Sequence, residues 1–174
     1  ARLGAERKPL PPQVVGLKFF NVYGPNEYHK GGMQSVIAQN AGRVLAGEPL
    51  RLFRSHRADY SDGGQLRDFI YVRDCVAVIG WLLSQPHISG LFNVGTGKAR
   101  SWLDLAHAMF AAFDKAPRIE FIDMPPQLLE KYQYFTEARM ARLRDAGYGQ
   151  SMTELEAGIE DYVRTYLSRE DAYR

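Results

Sequence analysis

The segment 19–32, FFNVYGPNEYHKGG, carries the residues best suited to chemistry. An apolar run ends in Asn21, Val22 and Tyr23, a Gly24-Pro25 turn follows, and a polar loop closes with Lys30, Gly31 and Gly32. An asparagine offers both a donor and an acceptor to a hydroxyl-rich ligand, and a desolvated lysine can take or give a proton. The plainer alternative is an asparagine capping a turn and a solvated loop lysine. A second group lies between Arg43 and Arg67, where Arg43, Arg51, Arg54, Arg57 and Arg67 outnumber Glu48, Asp59 and Asp62. The planar guanidinium fork suits diphosphate oxygens. Surface arginines paired with nearby acids would read the same way, at least for Arg43, Arg51 and Arg57. Phe53 could stack on a nucleobase or fill a core. Tyr132 sits in KYQYF, a stretch with no clean period, as expected of a loop packed over something.

Other chemistries are excluded by what the sequence lacks. The four histidines never fall at i, i+4, and neither HExxH nor paired CxxC occurs, so no metal site is expected. There is no Gly-x-Ser-x-Gly elbow, and Gly95-Thr96-Gly97-Lys98 lacks the other residues of a Walker loop. Gly95-Thr96-Gly97 follows a strand, but Arg100 stands where a dinucleotide fingerprint needs its third glycine; it reads as a structural turn. Cys75, the one cysteine, excludes an internal disulfide and reads as a small buried residue in a reducing compartment. A net charge of +2 gives no field for nucleic acid. No apolar run approaches the roughly 18–20 residues that span a bilayer, and the first residues resemble no signal peptide, so a cytoplasmic protein without membrane contact is expected.

The elements that must position these residues alternate along the 174-residue chain, whose 45% hydrophobic and 24% charged content suits one globular α/β domain. Val14–Phe20, bounded by Pro11-Pro12 and Tyr23-Gly24-Pro25, predicts a strand buried on both faces. Met33, Val36, Ile37, Ala41, Val44 and Leu45 predict a helix stopped by Gly47 and Pro49. Residues 50–53, 69–72, 91–94 and 118–122 predict further strands. Asp74 is the expected cap of a helix through Val76, Ile79, Leu82 and Leu83. Ser101 with Asp104, and Thr153 with Glu156, suggest capping boxes. Another helix is expected over 136–145, and the long stretch 55–66 predicts an irregular, functional loop.

Three strings occur in a telling order: KFFNVYGP (18–25), RDFIYVRD (67–74) and LFNVGTG (91–97). Together they resemble the second half of extended short-chain dehydrogenase/reductases acting on nucleotide sugars. EYHKG (27–31), YQYFT (132–136) and RLRDAGY (142–148) resemble, more finely, the ADP-L-glycero-D-manno-heptose 6-epimerase family. The resemblance implies the C-terminal part of an extended Rossmann-type reductase over residues 1–174. It would contain the last strands of a parallel sheet, near 14–20 and 91–94, and a small mixed α/β substrate-binding domain. The family's glycine-rich fingerprint and Tyr-x-x-x-Lys pair are absent; residues 1–13 resemble the tail of the helix that would carry the pair. The resemblance makes Lys30 a catalytic base, Val22 a cofactor contact, and Asn21, Phe53, Arg54, Ser55, His56, Arg67 and Tyr132 substrate contacts. Gly32 and Gln39 stand where the family can use a serine and a histidine.

What the resemblance implies functionally is NADP-dependent epimerisation at C6 of the heptose in an ADP-heptose-type nucleotide sugar, a lipopolysaccharide inner-core precursor, by a homo-oligomer. C6 carries no acidic proton, so inversion needs transient oxidation to a ketone, rotation about C5–C6, and hydride return to the other face. Each face needs its own acid/base group: the absent tyrosine for one epimer, Lys30 for the other. The chain alone is expected to be inactive. A nucleotide-sugar 4-epimerase or 4,6-dehydratase, or a non-catalytic sugar-nucleotide-binding module, remains an alternative.

Overall fold

The computed structural model describes residues 11–169 and 171. β1 (Val15–Phe19) and β2 (Asn21–Tyr23) are two parts of one extended run, and a short 3-10 turn over Tyr28–Met33 leads into α1 (Val36–Leu45). β3 (Leu50–Phe53), β4 (Leu66–Arg67) and β5 (Phe69–Tyr71) precede α2 (Val72–Leu83). β6 (Gly90–Val94), β7 (Arg100–Ser101) and α3 (Trp102–Ala112) come next. β8 (Ile119–Ile122), the single turn α4 (Pro126–Leu129), α5 (Ala141–Asp145) and α6 (Leu155–Tyr162) complete the order, α6 running on as a π-turn over Val163–Leu167.

β1 pairs with β6, β2 with β5, and β3 with β8, all parallel; β4 and β7 pair antiparallel. The first run changes neighbour at Phe20. The Phe20 N–H still donates to the Val94 carbonyl at 3.1 Å, whereas the Asn21 N–H donates to the Asp68 carbonyl at 3.0 Å. Parallel strands that part in this way leave a crevice beyond their carboxyl ends, where open α/β sheets bind ligands.

β5 joins two cores because strand side chains alternate between faces. Phe69 and Tyr71 enter one cluster with Ile37, Leu50, Leu105, Met109 and Ile159. Ile70 enters another with Cys75, Val78, Leu82, Phe92 and Val94. β3 and the helix that Gly47 stops, at φ +75°, form as the sequence predicts. So does the capping box at Ser101, whose side chain accepts from the Asp104 N–H at 3.0 Å.

Several expectations are corrected. β1 is half-buried rather than enclosed, and Phe19 is 43% exposed, because among the described residues only β6 pairs with it. Met33 lies in the 3-10 turn and is exposed; Ser35 caps α1 instead. α2 starts at Val72 and buries Cys75, Val78 and Leu82, leaving Val76, Ile79 and Leu83 exposed. Asp74 lies inside that helix and accepts from the Thr153 N–H at 2.8 Å and hydroxyl at 2.9 Å. Thr153 is thereby taken from the expected capping box, and Glu154 holds the N-cap position with no side-chain cap bond. Of the helix expected over 136–145, only 141–145 forms, since the Thr136 N–H donates to the Leu66 carbonyl and the Ala138 N–H to Asp68. The helix tail expected in residues 1–13 falls mostly outside the described residues.

Candidate functional site

The crevice at Phe20 opens on a cavity of about 420 Å³ lined by Asn21, Val22, Gln34, Ser35, Val36 and Trp102, among others. A second cavity, of about 260 Å³, is lined by Val36, Arg51, Leu52, Phe53, Trp102 and Tyr132. The two adjoin, sharing Val36 and Trp102 as walls. The sequence-predicted residues Asn21 and Val22 therefore stand at one end of a cleft, and Phe53 and Tyr132 at the other.

At the aromatic end, Phe53 closes β3 and meets the Tyr132 ring edge-on, with centroids 6.1 Å apart. The Arg67 guanidinium lies 5.1 Å from the Tyr132 ring centroid, a cation–π distance. Arg67 is 9% exposed and donates to the Leu66 carbonyl at 2.8 Å. Burial lowers its pKa, with Tyr132 acting the other way. Burial also pushes the Tyr132 phenol up, opposed by Arg67 and by the Trp102 N–H. That indole N–H is buried beside the phenol yet closes no hydrogen bond of ordinary geometry. An apolar slot walled by aromatic rings, with a buried guanidinium behind it, can hold a flat ring joined to an anionic group.

Ser55 and His56 belong to the neighbouring loop and are held by Tyr134. The His56 N–H donates to the Tyr134 hydroxyl at 3.0 Å, and His56 Nδ1 is 2.7 Å from the same oxygen. The Ser55 N–H donates to Asp62 at 2.8 Å, and the Ser55 hydroxyl to the Arg57 carbonyl at 2.8 Å. Tyr134 is 5.6 Å from Tyr132, so this loop flanks the slot. Arg54 points to Asp123 at 3.1 Å on the exposed rim.

At the other end, Lys30 is exposed in the 3-10 turn. It borders a small cavity of about 20 Å³ with Val22, Tyr23 and Glu27. Gly31 has φ +52°, a backbone region that favours glycine, so the turn can fold tightly beside the lysine. Gly32 and Gln39 prove to be partners: Gln39 Nε2 donates to the Gly32 carbonyl at 3.2 Å and to that of Gln34 at 2.7 Å. Gln39 ties the end of the Lys30 loop to α1.

Several residues of the site were not singled out from sequence. Trp102 is one, and its place at the first position of α3, behind the Ser101 cap, was the available signal. Asp68 is fully buried and accepts four hydrogen bonds: from the Thr96 N–H and hydroxyl at 2.7 Å each, and from the Gly97 and Ala138 N–H groups at 2.9 Å each. It pins Gly95-Thr96-Gly97 as a turn, as expected, and binds the segment following Tyr132 to the strand that carries Arg67. A Cβ at Gly95 would lie 2.7 Å from an Asp68 carboxylate oxygen, which explains the glycine. Among the described residues no cluster of metal-ligating side chains occurs, and no helix is long and apolar enough to cross a membrane.

Residues 12–95 match the model of the NAD dependent epimerase/dehydratase family. The particular relatives are narrower. ADP-L-glycero-D-manno-heptose-6-epimerase of Nitratidesulfovibrio vulgaris is 59% identical over 160 residues, covering 92% of this chain and 50% of that protein. Among solved structures, the Helicobacter pylori ADP-L-glycero-D-manno-heptose-6-epimerase matches with a TM-score of 0.68 at 29% identity, over 87% of this chain and 43% of that one. The Thermus thermophilus UDP-glucose 4-epimerase, solved with NAD, matches at 0.66 and 28%, over 86% and 45%. The α/β architecture is that of extended Rossmann-type epimerases and dehydratases, as the sequence led us to expect. The chain spans about half the length of the curated relatives it matches.

Proposed function

We propose that these residues form the substrate-side half of a nucleotide-sugar epimerase that inverts C6 of ADP-glycero-manno-heptose, a lipopolysaccharide inner-core precursor, with NADP as hydride carrier. The observation that carries this reading is the cleft, with an aromatic slot and buried arginine at one end and Asn21 and the Lys30 loop at the other. Phe53 and Tyr132 would hold the adenine, Arg67 and Arg54 the diphosphate, with Ser55 and His56 flanking. Asn21 would bond a sugar hydroxyl, and Lys30 would hold the proton of the C6 hydroxyl in one epimer. In this reading Gly32 and Gln39 shape the Lys30 loop, and the complete protein is a cytoplasmic homo-oligomer.

The residues present fit the edge of a nicotinamide cofactor. Asn21 and half-buried Val22 border the larger cavity beyond the carboxyl end of β1, the usual cofactor position in such sheets. Bound there, the cofactor would supply reversible hydride acceptance. The diphosphate cradle and the Tyr-x-x-x-Lys pair would come from sequence outside these residues, so the chain alone would not turn over. Each face of C6 needs an acid/base group of its own, and Lys30 would serve one of them.

A 4-epimerase is the second reading, favoured by the nearly equal TM-scores of the two solved structures. Substrate turnover separates them. The complete enzyme should interconvert the C6 epimers of ADP-glycero-manno-heptose and leave UDP-glucose untouched; the reverse preference would overturn the proposal. Lys30→Met should lower kcat on the order of 100-fold with substrate affinity retained. Near-normal turnover would return Lys30 to a solvated loop residue, and parallel loss of binding would make it a clamp.

A further inference from the structure

Glu27 is 3% exposed, a carboxylate buried immediately before the Lys30 turn. Three donors converge on it. The Ser35 N–H reaches one oxygen at 2.6 Å; the Ser35 hydroxyl, at 2.6 Å, and the Tyr162 hydroxyl, at 3.1 Å, reach the other. Burying a carboxylate is unfavourable unless hydrogen bonds replace its hydration. These partners come from separate elements: Ser35 caps α1, which walls the cleft, and Tyr162 lies in α6, 135 residues away in sequence. Ser35 gives its own proton to Glu27 while its oxygen accepts from the Ala38 N–H at 3.3 Å, so the carboxylate also orients the cap. The positive end of α1 favours a negative charge there.

The Lys30 turn hangs from this point. The Lys30 N–H donates to the Glu27 carbonyl at 3.0 Å, and both residues border the same small cavity. Without the carboxylate, both ends of the turn lose their common anchor, and Lys30 is free to shift relative to Asn21 and Val22. Misplacing a proton-transfer group by about 1 Å can cost a factor of 100 in rate without touching binding.

We infer that Glu27 is a positioning residue that sets the Lys30 loop against the cleft wall, acting on the chemical step through Lys30. The inference rests on the reading of Lys30 as a base. The test is a double-variant cycle in the complete enzyme, measuring kcat and KM for ADP-glycero-manno-heptose epimerisation. Glu27→Gln keeps the shape but turns one acceptor into a donor facing the two hydroxyls, and should lower kcat about 10-fold or more with KM within about twofold. Placed on Lys30→Met, the same substitution should lower kcat little further, because the group it positions is gone. Tyr162→Phe, which removes one donor and leaves the carboxylate, should act in the same direction with a smaller effect. Unchanged kcat in Glu27→Gln overturns the inference. So does an equal loss in the Lys30→Met background, which would mark a general structural role. A Lys30→Met enzyme with normal kcat defeats the Lys30 reading on that variant alone, whatever Glu27→Gln does.

Discussion

Replacing Asp68 by asparagine tests how the Tyr132 segment is held beside Arg67. One carboxylate oxygen accepts from the Gly97 and Ala138 N–H groups, the other from the Thr96 N–H and hydroxyl. An asparagine must turn its NH2 toward one of these pairs. Facing Gly97 and Ala138 it would leave two N–H donors unpaired. Facing Thr96 it leaves one, since the hydroxyl can turn and accept. The second orientation is the less costly, with one unpaired N–H worth about 1–3 kcal/mol and some loss of charge assistance in the remaining bonds. We expect a net destabilisation of about 2–3 kcal/mol, a large part of the roughly 5–15 kcal/mol that holds a domain folded. Urea unfolding of the full-length protein should show it as a lower midpoint at unchanged m. Hydrogen exchange should localise the loss to the Thr96 amide, whose hydrogen bond to Asp68 should slow its exchange in the parent. A destabilisation below about 0.5 kcal/mol, with Thr96 still protected, would refute the accounting.

Arg67→Ala should weaken ADP-sugar binding by about 1.5–3 kcal/mol, roughly 10- to 150-fold in Kd by titration calorimetry; unchanged affinity would reduce Arg67 to a packing residue of Tyr132. Trp102→Phe removes a buried N–H that closes no hydrogen bond here, so stability by thermal unfolding should move by less than about 1 kcal/mol while ligand affinity falls several-fold. A large stability loss with intact affinity would make the indole a core element only. Burial pushes the Cys75 thiol up to about 12, so at pH 8 about one molecule in 10⁴ carries the thiolate, and iodoacetamide should label the native protein far more slowly than the unfolded chain. The unfolded thiol ionises first as pH rises above about 8.5, so Cys75's contribution to stability is whole below that pH and is lost as pH climbs toward the folded value. Equal labelling of native and unfolded protein would contradict the burial.

The sequence determined the features whose causes lie within a few residues. Ser101 and Asp104 close a capping box three residues apart, Gly47 stops α1 through its own positive φ, and β3 ends in its aromatic residue. The Gly95-Thr96-Gly97 turn and the strings around Asn21, Lys30 and Arg67 were legible for the same reason. Tertiary structure decided every case in which a distant group competed for a local partner. Thr153 gives its hydroxyl to Asp74, 79 residues away, rather than to the helix it was expected to cap. Residues 136–140 stay outside the helix, with the Thr136 N–H given to the Leu66 carbonyl and the Ala138 N–H to the Asp68 carboxylate. The burial of Glu27 depends on Tyr162, 135 residues on, and the exposure of Phe19 on which strands lie beside β1. A backbone or hydroxyl donor goes to the best acceptor within reach in space, and separation along the chain does not enter that competition.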